Sequence, residues 1–422
     1  MNLFPPLDAQ SSRLLDELML KIEKIFPVPR RFAHALPRDV GELSRLFTAG
    51  RGDRGPAYLG KPNLLSAYLN YFLPWNVYRL CRLLPSVPLE LNDEDIILDI
   101  GSGPLTFALA LWISRPDFRN KKLEFYCLDK ISSVLEAGKQ IFAAFTGTPD
   151  TGTSDAQWKV NTLRGEFTGK GFFLNRGGKR IFVSPGKILN GKTAALVTVV
   201  NMFNEIFWEL SPHDTEGLND LAEKSASALT AIAPSVFIAE PGIPRSGEFI
   251  TSLRSALSDK NYKCISPCLH EKNCPFPGGI GTADHKKNKW CHFSFVTDDS
   301  PMKLRKLSEA AGIPKERAVL SFLLSGKFLP GLSGARNSGA QVPCDKSGVR
   351  ESGTHIPARV ISDSFPVDTL SGRYACSIRG AVLVKGPDKQ IAALESGSCV
   401  NVKLTGQKDV KSGALVGAVY KE

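Results

Sequence analysis

One stretch gives the clearest indication of the fold of this chain: Ile96-Ile97-Leu98-Asp99-Ile100-Gly101-Ser102-Gly103-Pro104. Its apolar first half predicts a buried strand, its two glycines predict a sharp turn, and residues 104–114 predict a helix with a proline in its first turn. Glycine is needed where a strand turns sharply and a ligand approaches the backbone, and the start of a helix favours electron-rich groups. The stretch therefore predicts a strand, a turn and a helix that together bind a nucleoside cofactor.

An acidic residue stands where such a site requires one. Asp129 follows Gly103 by 26 residues and comes at the end of the next predicted strand, where its carboxylate can accept hydrogen bonds from ribose hydroxyls. A third glycine is missing, so no pyrophosphate has to be accommodated, which favours S-adenosylmethionine over a dinucleotide. The alternative is a tight turn in an α/β domain that binds no nucleoside. The predicted cofactor-binding residues are Asp99, Gly101, Ser102, Gly103, Asp129 and Asn201.

Short apolar runs alternate with helical patterns on both sides of this stretch, which predicts an α/β unit with a parallel sheet. Segment 146–190 interrupts the alternation, and its two weak strand patterns, 171–174 and 180–183, predict an insertion hairpin on the rim of the sheet. The predicted organisation is a helical N-terminal region over 1–90, an α/β domain over 91–328 that includes a cysteine-rich loop over 264–292, a Gly- and Ser-rich linker over 329–357, and a small β-barrel-like domain over 358–422.

Composition narrows the class of protein. With 422 residues, 42% hydrophobic and 23% charged, the chain is typical of a globular protein, and its apolar runs are too short for a membrane span. The first residues lack the pattern of a secretory signal or a transit helix, so we expect a cytoplasmic protein. The net charge of +11 predicts an anionic partner, and residues 301–422 hold 18 Lys and Arg against 10 Asp and Glu.

Polar residues follow the fourth predicted strand. Asn201, Asn204 and Glu205 stand at its carboxyl end, which in a parallel sheet faces the ligand crevice, and we expect Asn204 and Glu205 to be the catalytic residues. The Asn-Pro-Pro-Tyr sequence of many amino-group methyltransferases is absent. The alternative is that Asn204 and Glu205 cap the next helix. Glu240, at the end of the fifth strand, faces the ligand or pairs with a nearby arginine.

Three cysteines stand close together in the loop-rich segment that follows. Cys268, Cys274 and Cys291 have five and sixteen residues between them, and converging thiolates suit an iron–sulfur cluster or zinc. Neither gap is the two-residue knuckle of common zinc ribbons, which argues against zinc. The alternative is a set of buried free thiols. A fourth ligand is required, and the candidates are Cys376, Cys344, Cys264, His270 and His292.

Taken together, these motifs resemble the family of methyltransferase-like small-ribosomal-subunit assembly factors of mitochondria and bacteria. The matching stretches are YLGKPNLLSAYLNY over 58–71, LDIGSGPL over 98–105, Asn204-Glu205, Glu240-Pro241-Gly242-Ile243-Pro244, PCLHEKNCP over 267–275 and WCHFSF over 290–295. The resemblance implies a class I, Rossmann-like methyltransferase fold that binds S-adenosylmethionine. It also implies association with the small ribosomal subunit or its rRNA.

The same resemblance implies a 4Fe-4S cluster held by four cysteines. Carried over by position, its ligands are Cys268, Cys274, Cys291 and, from the C-terminal β unit, Cys376. Two hypotheses follow for the function. The protein is an S-adenosylmethionine-dependent rRNA methyltransferase, or it is a catalytically inactive assembly factor that uses the fold and the cluster as an rRNA-binding scaffold. In either case we expect a monomer.

Overall fold

The computed structural model describes residues 2–48, 58–147, 157–211, 213–277, 289–327 and 355–419. The predicted linker lies outside these ranges except for its last three residues, which belong to a strand that begins at His355. The N-terminal region is helical, as predicted. Its helices are α1 (Ala9–Ile25), α2 (Leu36–Phe47), α3 (Pro62–Ala67) and α4 (Leu73–Leu83), with a π-helical turn at Tyr68–Phe72 between the last two.

The second unit is a large mixed sheet covered by helices. Its strands are β1 (Ile96–Ile100), β2 (Leu123–Asp129), β3 (Trp158–Phe167), β4 (Phe172–Arg176), β5 (Lys179–Val183), β6 (Leu196–Val200), β7 (Ser235–Pro241), β8 (Tyr262–Ser266), β9 (Phe293–Val296) and β10 (Arg317–Lys327). The helices are α5 (Thr106–Ser114), α6 (Ser132–Thr146), α7 (Phe203–Phe207), α8 (Thr215–Thr230), α9 (Pro244–Ser258) and α10 (Met302–Ala310).

The strands follow the order β5-β4-β3-β2-β1-β6-β7-β10-β8, with β9 beside β10. From β3 to β7 all neighbours are parallel, and β10 is antiparallel to both β7 and β8. The carboxyl ends of β1, β2, β6 and β7 therefore meet at one edge of the sheet. The register pairs Leu320 with Pro241, so β10 begins at that same edge.

Two details of the predicted α/β unit need correction. The hairpin of β4 and β5 lies on the rim, as expected, but the same segment also contributes β3, which pairs with β2 as a full member of the sheet. The sequence missed β3 because most of its side chains are polar and exposed on one face. Pro104 precedes the helix rather than opening it, since α5 begins at Thr106 after Leu105 adopts a left-handed conformation with φ of 61°.

The C-terminal unit is a small β-barrel with its own apolar core, as predicted. Its elements are β11 (His355–Val360), β12 (Phe365–Val367), β13 (Leu370–Ser377), β14 (Gly380–Gly386), α11 (Asp388–Ala392), β15 (Cys399–Lys408) and β16 (Leu415–Val419). Pairing of β11 with both β15 and β13 closes the sheet on itself. The barrel touches the larger unit through buried Arg359, whose Nε donates to the carbonyl of Pro267 at 2.7 Å.

Candidate functional site

The glycine turn after β1 has a geometry that other residues do not tolerate. Gly101 and Gly103 have φ values of +68° and +55°, in the left-handed region that favours glycine. A Cβ on Gly101 would lie 2.4 Å from Cγ of Met202, which belongs to the loop after β6. The turn therefore approaches the neighbouring loop closely, and the absence of a side chain on Gly101 lets Met202 pack against it.

Asp129 at the end of β2 holds this turn in place. One carboxylate oxygen accepts a hydrogen bond from the Gly103 N–H at 3.0 Å, and the other accepts from the Ile131 N–H at 2.9 Å. Burial raises the pKa of Asp129 above its ordinary value, and these hydrogen bonds oppose that rise because they favour the charged form. The predicted placement of Asp129 beside the glycine turn agrees with this geometry.

Asp99 lies under the turn rather than on the wall of the crevice. Its Oδ1 accepts a hydrogen bond from the Thr198 hydroxyl on β6 at 2.6 Å, and its buried Oδ2 has no hydrogen-bond partner among the described residues. Burial, and then the charge of Asp129, raise the pKa of Asp99 to about 7. Asp99 thus joins β1 to β6 and supports the turn from below.

Replacing Asp99 with asparagine is expected to change how stability depends on pH. The pKa of this carboxyl is about 7 in the folded chain against an ordinary 3.8, so its contribution to stability is complete below pH 3.8 and is lost as the pH rises through 7. At about pH 8, the free energy of unfolding of Asp99→Asn should exceed that of wild type by on the order of 2–4 kcal/mol, so the variant is the more stable protein. Thermal unfolding of both proteins between about pH 4 and 8 measures this. Parallel curves would contradict the assignment.

The loop after β6 is held from below by Glu240 of β7. Its two carboxylate oxygens accept hydrogen bonds from the backbone N–H groups of Met202, Phe203 and Asn204 at 2.8–3.2 Å. We expected Glu240 to contact the ligand or an arginine. Instead, its carboxylate binds the backbone of the loop after β6. Asn201, at the tip of the loop, has φ of +54°, a strained conformation for a residue with a side chain.

The two candidate catalytic residues sit in the same loop and make contacts within the protein. The side-chain amide of Asn204 donates to the carbonyl of Asn201 at 3.2 Å. Glu205 forms an ion pair with Lys130 at 3.0 Å, which joins the loop to the end of β2. Both residues lie in the first turn of α7, but the N-cap of that helix is Met202 and its side chain makes no capping hydrogen bond, so the structure does not support the capping alternative.

A cavity of about 880 Å³ opens at this edge of the sheet. That volume lies in the range of small-molecule sites, roughly 300–1,000 Å³. One wall contains the glycine turn, Asp129 and the loop from Asn201 to Glu205. The predicted cofactor-binding and catalytic residues, except Asp99, therefore meet on this wall.

The opposite wall of the cavity comes from the N-terminal helices, and the sequence did not indicate it. Phe47 of α2 packs edge-on against Phe72 at 4.9 Å between ring centroids, and Tyr68 stacks on Phe72 at 6.0 Å. Arg79 of α4 and Lys315, just before β10, also line it. A π-helical turn carries Tyr68 and Phe72, and such turns are frequent at functional sites.

The cysteines form a second cluster, between the sheet and the barrel. The pKa of Cys291 is raised by burial and then by the charges of Cys274, Cys268 and Cys376, and Cys376 responds in the same way to Cys268 and Cys274. The distance of 3.2 Å from His270 Nε2 to the sulfur of Cys376 shows that the barrel cysteine lies beside the segment that holds Cys268 and Cys274. Within the described ranges, all four are free thiols and no three His, Cys, Asp or Glu side chains are arranged to hold a single metal ion.

The other candidates for a fourth ligand differ in their surroundings. Cys264 is buried on β8, and the neighbouring Cys268 lowers its pKa, while His270 Nε2 lies 3.2 Å from the sulfur of Cys376. The ring of His292 stacks on Trp290 at 4.7 Å, and its Nδ1 lies 3.2 Å from the Trp290 carbonyl oxygen. Cys344 lies outside the described residues.

Two buried arginines flank the cysteine cluster. Burial works to lower the pKa of Arg254, but the charges of Cys268, Cys264 and Cys274 outweigh it and raise that pKa above its ordinary value. The guanidinium of Arg254 donates to the carbonyls of His270 and Lys272 at 2.9 Å, while its buried Nε lacks a hydrogen-bond partner in the described part of the chain. The charge of Arg359 in the barrel works to lower the pKa of Cys268, against the larger effects of Cys264 and burial, and the pKa of Cys376, against the larger effect of burial.

Three features define a class I methyltransferase-like protein. They are the glycine turn, the acid that ends β2, and a strand order in which the next-to-last strand, β10, is antiparallel to its neighbours. Residues 67–330 match the family described as mitochondrial small ribosomal subunit Rsm22. This chain belongs to that family. The resemblance drawn from the sequence motifs is thereby confirmed, and the match does not address the iron–sulfur cluster. No curated protein matches the chain.

Several solved structures are weakly similar to this chain. A Pyrococcus horikoshii protein described as a candidate RNA methyltransferase has 11% identity and a TM-score of 0.30, over 61% of this chain and 86% of that one. Aeropyrum pernix fibrillarin, solved with S-adenosylmethionine, has 12% identity and a TM-score of 0.27 over 47% and 71%. The cyclopropane synthase MmaA2 of Mycobacterium tuberculosis has 8% identity and a TM-score of 0.28 over 73% and 98%. At these values the fold assignment depends on the strand order itself.

Among the described residues, no helix has the length and apolar character needed to cross a membrane. The expected cytoplasmic location stays a prediction, since the description of the family names the mitochondrial small ribosomal subunit.

Proposed function

We propose that this protein binds S-adenosylmethionine in the cavity at the carboxyl edge of its sheet and acts on the small ribosomal subunit or its rRNA. The observation that carries the proposal is the meeting of three parts on one cavity wall: the turn at Gly101 to Gly103, Asp129, and the loop at Asn201 to Glu205. Ligands of open α/β sheets bind at this edge. The description of the family supports the ribosomal part.

The residues of this wall suit the cofactor. Gly101, Gly103 and Asp129 all line the cavity, so we propose that the nucleoside lies over the turn and that the carboxylate of Asp129 accepts hydrogen bonds from its ribose hydroxyls. The cavity is also large enough for an acceptor group beside the cofactor. Asp99 supports the turn from below through its hydrogen bond with Thr198, and we do not expect it to contact the cofactor directly.

In an enzyme of this kind the protein contributes mainly alignment. The cofactor, when bound, supplies a methyl group that is already activated, so the chain has to orient the acceptor and exclude water. The loop after β6 is the element that would do this, because Asn204 and Glu205 lie on it and the carboxylate of Glu240 fixes its backbone. Asn204 and Glu205 are therefore the residues we propose for contact with the acceptor.

A second function is favoured by one specific observation. The side chains of Asn204 and Glu205 are engaged with the Asn201 carbonyl and Lys130, so both hold the loop in the structure. This fits an assembly factor that keeps the cofactor site as a folding or docking element without turnover.

Transfer of label to rRNA distinguishes the two functions. Purified protein is incubated with immature small subunits and S-adenosylmethionine carrying a radiolabelled methyl group, with Glu205→Gln as a matched variant that keeps the shape of the side chain. Label in rRNA that falls with the variant supports the enzyme. Tight binding of subunits without label, at stoichiometric protein, supports the assembly factor.

We further propose that Cys268, Cys274, Cys291 and Cys376 hold a 4Fe-4S cluster between the sheet and the barrel. Support comes from the sulfur of Cys376, which lies 3.2 Å from His270 Nε2 in the segment between Cys268 and Cys274, and from the two buried guanidiniums of Arg254 and Arg359. A buried cation is costly unless an anion accompanies it, and the hydrogen bonds described for these two arginines go to backbone carbonyls and Cys264. Soft thiolates are the ligands that iron–sulfur clusters require.

Binding to rRNA is expected to weaken steeply with salt. The barrel exposes several basic side chains, Arg379, Lys389, Lys403, Lys408 and Lys411. If about six to eight phosphates are contacted, affinity should fall on the order of a thousandfold between 50 and 200 mM salt. Lys403→Ala should lower the slope by about one, while Lys24→Ala on α1 serves as the control. A flat salt response would point to a protein partner instead.

A further inference from the structure

The cavity has opposite charges on its two walls. Its carboxylates lie on the side formed by the sheet and its loops, and they are Asp129, Glu166, Glu205 and Glu209. One lining cation, Lys130, lies on that same side and is paired with Glu205. The cations on the facing side are Arg79 of α4 and Lys315, which precedes β10 at the edge of the sheet. Such a division suits a ligand that carries positive charge at one end and negative charge at the other.

Both cations lack an acidic partner in the described part of the chain. The guanidinium of Arg79 donates to the Asn76 side chain, and Nζ of Lys315 lies 5.4 Å from the ring centroids of both Tyr71 and Trp75. No carboxylate of the described residues forms an ion pair with either group. Burial, and then the charge of Arg79, lower the pKa of Lys315 to about 7. The two like charges therefore face one opening of the cavity without compensation.

Tyr68 links this cationic end to the glycine turn. Its hydroxyl would lie 3.6 Å from a Cβ on Gly103, so it borders the seat of the proposed cofactor. On that side it interacts electrostatically with Asp129 and Glu205, and on the other side with Arg79. A negative group attached to a ligand over the glycine turn is thus within reach of the cations.

We propose that Arg79 and Lys315 form an oxyanion subsite, which takes a carboxylate or a phosphate at the helical end of the cavity. This inference rests on the proposed cofactor site for its location. Two sources supply that chemistry: the carboxylate of the amino-acid part of the cofactor, and a phosphate of the acceptor nucleotide. Guanidinium and ammonium groups bind such oxyanions by charge-assisted hydrogen bonds.

The test compares ligands that differ only in the anionic group. S-adenosylhomocysteine and 5′-methylthioadenosine both have a neutral sulfur and the same nucleoside, and only the first carries a carboxylate. Calorimetry with wild type, Lys315→Met and Lys315→Arg measures both ligands. Inorganic phosphate is titrated separately into each protein. If the carboxylate occupies the subsite, Lys315→Met weakens S-adenosylhomocysteine about tenfold or more, leaves 5′-methylthioadenosine within about twofold, and Lys315→Arg restores the affinity.

If the acceptor phosphate occupies the subsite, Lys315→Met leaves both nucleosides unchanged and loses the binding of inorganic phosphate seen with wild type. In either case Lys315→Met should raise the melting temperature of the free protein, because it removes an unpaired cation beside Arg79. A variant that is more stable yet binds the anion less well cannot be explained by misfolding. Equal affinities of wild type and Lys315→Met for all three probes would overturn the inference, while failure of wild type to bind either nucleoside would instead refute the cofactor site.

Discussion

Cys274→Ser, purified without oxygen, is expected to lose its iron, its acid-labile sulfide and its visible absorption, and to lose much of its soluble yield. The reason is structural. Cys268, Cys274 and Cys291 belong to the larger unit and Cys376 belongs to the barrel, so a cluster bound by all four would join the two units. Structural metal sites can supply on the order of 10 kcal/mol to folding. Loss of one ligand would also leave the charge of buried Arg254 less compensated.

Two controls make this result specific. Cys264→Ser changes a buried free thiol in the same segment, four residues before Cys268, and it should keep the iron. Cys376→Ser and Cys344→Ser then decide the fourth ligand, because only the true ligand should reduce the iron content. Wild type that is colourless and free of iron after anaerobic purification would refute the cluster, and the four thiols would then be buried free cysteines.

Gly101→Ala is expected to weaken binding of S-adenosylmethionine at least about tenfold, which corresponds to about 1.4 kcal/mol. Two effects combine at this position. Alanine is strained at φ of +68°, and its Cβ would meet Cγ of Met202 at 2.4 Å. Relief of that contact requires Met202 to move toward the cavity or the loop after β6 to shift, and either change disturbs the wall on which the cofactor is proposed to lie.

Gly147→Ala is the matched control for this variant. Gly147 has φ of +72° at the end of α6, and a Cβ there would meet nothing within 4 Å. Both variants therefore carry the strain of left-handed alanine, and only Gly101→Ala adds a contact in the site. Calorimetry should show normal affinity for Gly147→Ala. Equal affinity in the two variants would mean that the turn is an ordinary turn outside any cofactor site.

Local chemistry was sufficient to predict the centre of the fold. A buried strand, two glycines in left-handed conformations and an acid at the end of the next strand are properties of short segments, and the structure has each of them as Ile96–Ile100, Gly101, Gly103 and Asp129. The helices of the N-terminal region and most strands of the barrel follow in the same way, because their apolar residues repeat with the period of the element.

Side-chain contacts beyond the segment escaped that reasoning. The carboxylate of Glu240 supports the loop after β6 through three backbone N–H groups, and Asp99 turns away from the crevice toward Thr198. Neither orientation follows from the position of an acid at a strand end. β3 was missed because its polar, half-exposed pattern resembles a loop until β2 is placed beside it.

The amino-acid sequence alone was enough to predict the class of fold, the glycine turn with its acid, and the family. The packing of distant elements was needed to show that β10 lies antiparallel between β7 and β8, that His270 contacts Cys376 of the barrel, and that Arg79 and Lys315 share one cavity. Periodicity and turn chemistry act between neighbours in the chain, whereas these elements are separated by 51 residues or more and meet only through the packing of whole elements.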